Sequence, residues 1–180
     1  MIAADPAFLG AAGSYVAAAE VHEFAVVDAA RRPTLEAWVA RLIPGAGEWP
    51  GAAEVGAAAY VDAAIATTPA ARPTVLLAID RLDRLAAEAG ASDFAAAPPE
   101  ERDRILVDVS IDPRFEAAFQ QVLELTYEAY YRDERVCDAM RARTGFDSRL
   151  PHLGSPMEPF DQSRLARVAA LPPHYREVEA

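Results

Sequence analysis

TVLLAIDRLDRLAAEAG (74–90) is the stretch that decides the fold. Val75, Ile79, Leu82 and Ala86 recur at spacings of four and three, while Asp80, Asp83, Arg84 and Glu88 fall on the opposite side. That is the period of an amphipathic α-helix with one face turned to a core. Gly90 follows the last periodic residue, where a left-handed stop is expected. Working outward, Thr67–Pro73 reads as a turn, and Pro98-Pro99 opens a further helix, PEERDRILVDV, with acids in its first turn where the dipole favours them. ILVDVSI (105–111) is the segment closest to a strand, but no stretch alternates with period two.

The same pattern continues in both directions. Towards the C-terminus, Asp112-Pro113 caps a helix from Arg114 to about Tyr131, and Asp133–Arg143 forms another that ends at Gly145. Towards the N-terminus, a helix is expected from Pro50 to about Ala66, with only Glu54 and Asp62 interrupting a small and apolar surface. Thr34 reads as the N-cap of a helix over Leu35–Ile43, stopped by Pro44-Gly45. Val21, Phe24, Val27 and Asp28 suggest a short helix over 20–31. The expectation is an all-α protein, a compact bundle of about six helices over residues 20–145. An Ala-rich segment, 1–19, precedes it. Residues 146–180 form a Pro-rich extended tail or arm, in which Leu165–Leu171 can make two turns of helix.

Composition agrees and excludes several functions. The 180 residues include 41 Ala, the best helix former, and neither Lys nor Asn. The net charge is −11, which disfavours nucleic acid and anionic lipid, since phosphates must be neutralised by cations. One Cys leaves neither a disulfide framework nor a Cys-based zinc site within the chain. The first twenty residues carry no Arg or Lys, and the first Arg pair is Arg31-Arg32; the sequence therefore reads as cytoplasmic, without a signal peptide or twin-arginine motif.

The chemistry-bearing patterns are fragmentary. His22-Glu23 begins like a zinc-protease helix, but position 26 is Val where the second His is required. A di-iron bundle needs Glu-x-x-His on two helices, and no Glu here has a His three residues later. GAGEWPG (45–51) follows a helix rather than a strand and spaces its glycines unlike a dinucleotide loop. Cys137 reads as a buried structural thiol. No residue is assigned as catalytic, cofactor-binding or metal-ligating, so the isolated chain is expected to bind neither flavin nor metal. Asp62 differs, because a carboxylate on a nearly apolar helix must be paired, hydrogen-bonded or shifted in pKa. It is expected to be buried against a polar partner, for example an Arg from another segment. Tyr127, Tyr130, Tyr131 and Arg132 are residues that anchor interfaces, although part of the group serves a core equally well.

Three stretches carry a resemblance: LIPGAGEWPGAAEVGAAAYVDAAI (42–65), FEAAFQQVLELTYEAYYRDERV (115–136) and PFDQSRLARVAALPPHYR (159–176). Together they resemble the gluconate 2-dehydrogenase subunit 3 family, small accessory subunits of FAD-dependent dehydrogenases. The resemblance implies a non-catalytic partner that stabilises and helps fold a large FAD-binding oxidoreductase of the glucose-methanol-choline type acting on a sugar or alcohol. FAD would then lie in that partner and not in this chain. Two departures stand out: the export signal many members carry is not seen, and ERVCDAM (134–140) replaces a Gly-Gly-Asn segment. Trp49, Tyr130, Tyr131, Arg132, Pro159, Phe160 and Tyr175 are the expected partner-facing residues. The tail is expected to act as an arm beside the Tyr130–Tyr131 end of the long helix. Two alternatives stay open: a stand-alone helical enzyme or ligand-binding protein with a pocket near Asp62 and Tyr127, and a homo-oligomeric protein of regulatory type.

Overall fold

The computed structural model describes residues 24–147 and 161–171. The helical body consists of α1 (Arg32–Leu42), α2 (Ala57–Thr67), α3 (Arg72–Glu88), α4 (Pro99–Ile111), α5 (Glu116–Arg132) and α6 (Glu134–Thr144). No β-strand occurs among the described residues, so the all-α expectation holds. The segment ILVDVSI lies within α4, where Ile105, Leu106 and Val109 turn inwards at helical spacing.

Local signals set most helix ends. Asp133 is the N-cap of α6, its carboxylate accepting the Arg135 N–H, and Gly145 closes the helix in the left-handed region at φ +76°. Gly90, at φ +93°, follows α3 in the same way. Pro33, Pro73 and Pro99 lie in the first turns of α1, α3 and α4, where a missing N–H costs nothing.

α5 packs against α1, α2, α3, α4 and α6, and α1 also touches α2, α3 and α4. Between them lie Leu35, Trp38, Val39, Val61, Ile79, Leu82, Ile105 and Val122, all with no exposed surface. Trp38 lies against Phe119 of α5 with ring centroids 5.8 Å apart. Phe94, from the loop between α3 and α4, plugs the same core. Asp83 fastens that region, accepting the Phe94 N–H at 3.0 Å and the Thr34 hydroxyl at 2.6 Å. Thr34 therefore ties α1 to α3 instead of capping its own helix. The bidentate pairs Arg31–Asp80 and Arg41–Asp103 join the start and end of α1 to α3 and α4.

Two expected helices are corrected. Residues 24–31 form bends and turns, not a helix, because the N–H groups of Ala25, Val26 and Val27 point to the side chain of Asp62 rather than to carbonyls one turn back. Asp28, read as part of that short helix, instead accepts the N–H groups of Ala30 and Arg31 and turns the chain into α1. The second helix starts at Ala57, not Pro50. Residues 52–56 make turns, and Gly56, at φ +71°, re-aims the chain before α2 begins.

In the C-terminal region, Gln162–Leu165 is a 3-10 turn and α7 (Ala166–Ala169) is one helical turn, with exposed residues on either side. The boundaries drawn at 1–19 and 146–180 fall largely on residues outside those described.

Candidate functional site

GAGEWPG is a closed loop. Ala46 and Trp49 exchange two backbone hydrogen bonds of 3.0 Å, and the Ala52 N–H donates to Ile43 O at 2.8 Å. Gly45 sits at φ +73° with its missing Cβ directed at Gly51 N, which would be only 2.6 Å away. The loop thus brings its two ends together, a geometry for packing rather than for cradling phosphate. The Trp49 side chain, expected at a partner surface, is half-buried.

Asp62 lies on the inner face of α2 with no exposed surface. Its Oδ1 accepts the N–H groups of Val26 and Val27 at 3.0 and 2.6 Å, and its Oδ2 accepts that of Ala25 at 2.5 Å. The partner is therefore main chain, and not the arginine considered from sequence. Three converging amides compensate a buried carboxylate.

Tyr60, two residues earlier on α2, faces α5. Arg132 Nη1 donates to Tyr60 Oη at 3.0 Å, and the guanidinium sits 5.3 Å from the ring centroid. Glu128, one turn before Arg132, lies 3.7 Å from the guanidinium. Burial, chiefly, and then Glu128 push the Tyr60 phenol above its ordinary pKa. Arg132 is half-buried and belongs to this α2–α5 seam. Arg135 adds a second tie, donating to Glu54 O at 2.9 Å.

The three tyrosines of α5 divide by burial. Tyr130 is 6% exposed and packs inwards, and desolvation, followed by its neighbour Tyr131, raises its pKa. Tyr127 and Tyr131 are 44% and 48% exposed, stacked one turn apart with centroids at 6.4 Å. Tyr130 meets Tyr131 edge-on at 5.4 Å. A buried ring thus braces an exposed pair. The buried sulfur of Cys137 contacts Tyr131 O at 3.3 Å. Pro159, Phe160 and Tyr175 lie outside the described residues.

A cleft of about 400 Å³ opens between α1 and the start of α2, lined by Phe24, Arg32, Glu36, Val39, Gly56 and Ala58 among others. Arg32 lies 4.6 Å from the Phe24 ring centroid and is paired with Glu36. Neither Asp62 nor Tyr127 lines this cleft, so the structure does not gather them around it. Among the described residues no group of three or more His, Cys, Asp or Glu could hold a metal ion, and no helix is long and apolar enough to cross a membrane.

The profile of a family described as gluconate 2-dehydrogenase subunit 3 matches residues 29–143. The chain belongs to the gluconate 2-dehydrogenase subunit 3 family. The match covers well over half of the chain, from the turn before α1 into the last turn of α6, and so takes in nearly all of the core of this subunit 3 fold. No curated protein sequence matches the chain, and no solved structure does. Subunit 3 is by its name a component of a larger dehydrogenase, and the chain is consistent with an accessory subunit.

Sequence reasoning missed Tyr60 and Glu128. Tyr60 stands 72 residues from Arg132, and nothing in either local sequence signals the pairing. The separation of Tyr127 and Tyr131 from Tyr130 was not readable either, because residues three and four apart both neighbour one another on a helix and only the helices packed on α5 fix which of them turns inwards.

Proposed function

We propose that this chain is the non-catalytic small subunit that stabilises and helps fold a large FAD-dependent oxidoreductase of the glucose-methanol-choline type, acting on a sugar or alcohol. The observation that carries the reading is the family match, which spans all six helices of the body. Two features of the fold support it. The carboxylate that looked most like an acid-base group, Asp62, is engaged by three backbone amides. The most exposed aromatic side chains of the long helix α5 stack on one another and face outwards, as in a contact surface. FAD belongs to the large subunit in this reading, and assembly in the cytoplasm is part of the same proposal.

Co-expression with the large dehydrogenase subunit of the same genome tests the reading. Expected results are a complex on size exclusion, the visible spectrum of bound flavin in the large-subunit band, and a much lower soluble yield of that subunit when this chain is omitted. Equal yield and flavin content without this chain would remove the folding role. Dehydrogenase turnover by this chain alone would replace the reading with that of an enzyme.

A further inference from the structure

The outward stripe of α5 is not an ordinary solvated face. Its exposed residues are Glu116, Gln120, Glu124, Tyr127, Glu128 and Tyr131, at helical spacings of three and four. Carboxylates lead up to the stacked tyrosine pair: Glu124, which accepts from Gln120 Nε2 at 3.0 Å and is otherwise exposed, and Glu128, which is half-exposed and only loosely paired, 3.7 Å from the Arg132 guanidinium. The stripe itself carries no exposed cation. Arg132, the next basic residue, is turned into the α2–α5 seam, with its guanidinium on Tyr60. Two aromatic faces flanked by carboxylates make a site for a cationic side chain. The ring quadrupoles attract a guanidinium or ammonium group, the carboxylates pair with it, and the rings exclude water around it.

The geometry points to Tyr127, Tyr131, Glu124 and Glu128 as the docking site for an Arg- or Lys-bearing surface of the large dehydrogenase subunit. The inference rests on the proposed function for the identity of the partner. Charge complementarity selects the occupant: a chain of net charge −11 presenting an acidic aromatic stripe disfavours a second copy of itself. Tyr130 braces Tyr131 from below, so little side-chain entropy is lost when the partner arrives. Among the exposed apolar residues elsewhere, Leu77 of α3 and Val107 and Ile111 of α4 have no aromatic ring and lie on different helices. They serve as the control surface.

The experiment measures affinity between the full-length chain and the purified large subunit, with melting curves for every variant. The wild-type complex is expected to weaken as salt is raised, since an exposed charge pairing is screened. The double variant Tyr127→Ser/Tyr131→Ser should weaken binding about 30-fold, as expected for a pair of central anchors. The conservative Tyr127→Phe/Tyr131→Phe should restore most of it, because the rings and not the hydroxyls hold the cation. Glu124→Arg should weaken binding and reverse the salt dependence, whereas Leu77→Ser/Ile111→Ser should bind as wild type. Tight, salt-insensitive binding by Tyr127→Ser/Tyr131→Ser would overturn the site while leaving the proposed function standing. Loss of binding in the Leu77→Ser/Ile111→Ser chain alone would also overturn it, as would self-association of the wild type that the tyrosine variant abolishes. A wild-type chain that forms no complex would overturn the proposed function and this site with it.

Discussion

Replacing Asp62 tests the feature on which the entry of the chain into its helical body depends. In Asp62→Ala three N–H groups lose their acceptor together. A hydrogen bond to a charged group contributes about 1.5–3 kcal/mol, and a buried donor left without an acceptor costs about 1–3 kcal/mol. The Val27 amide is buried, with its residue 2% exposed, so it bears the full penalty of about 2 kcal/mol. The amides of Ala25 and Val26 are partly buried and reach water more easily, adding roughly 0.5–1 kcal/mol each. The sum is about 3–4 kcal/mol, a large share of the ~5–15 kcal/mol that holds an ordinary domain. For a body of this size the melting temperature should fall by roughly 10 °C or more. Asp62→Asn keeps the volume and one acceptor oxygen. That oxygen can serve Val26 and Val27, while the new NH2 group faces the Ala25 N–H, so the loss should be about half as large. Thermal melts by circular dichroism give both numbers, and hydrogen exchange should show the amides of Ala25–Val27 losing protection first. A melting temperature for Asp62→Ala within about 2 °C of wild type would refute the reasoning. Unchanged stability joined to lost turnover in the complex would instead assign Asp62 an acid-base role.

Gly45→Ala should destabilise the protein by about 2–3 kcal/mol, since the new Cβ meets Gly51 N at 2.6 Å in a left-handed conformation; Gly47→Ala, at φ +61° with open space around it, should cost about 1 kcal/mol, and equal melting temperatures for the two would contradict the loop geometry. The Asp112 carboxyl is held at about 2, first by the Arg114 side chain and then by the Arg114 N–H, against an ordinary 3.8. Its contribution is therefore fully present above 3.8 and is lost as pH falls through about 2, so acid titration of stability between these values should be shallower for Asp112→Asn than for wild type. Deleting residues 150–180 should leave the helical circular dichroism of the body intact, because the core among the described residues lies between Val27 and Cys137, and should weaken pull-down of the large subunit if the tail acts as an arm; collapse of the helical signal would place the tail in the body's own core.

Much of the fold was legible because its signals are local. The stripe of Val75, Ile79, Leu82 and Ala86 is buried in α3 as its spacing requires, and Gly90, Asp133 and Gly145 act within one turn of the helix ends they set. The family was legible too, since the quoted stretches at 42–65 and 115–136 fall inside the matched region. Burial of Asp62 was foreseeable from its apolar neighbours, but its ligands were not. They are backbone amides 35 to 37 residues away, and every residue type has such an amide, so no composition marks them. For the same reason 20–31 looked helical: its apolar spacing suits a helix, yet over 24–31 the tertiary bonds to Asp62 outcompete local ones. Likewise Pro50 offered a good helix start, while the close approach of Gly51 to Gly45 and the left-handed Gly56 delay α2 to Ala57. The sequence by itself determined most of the helical segments and where most of them stop, because capping and periodicity act over one or two turns. Only the tertiary structure decided which tyrosine of α5 is core and which are surface, that Arg132 turns to Tyr60, and that Asp62 holds the strap at 25–27, because each depends on groups that meet only when distant helices pack.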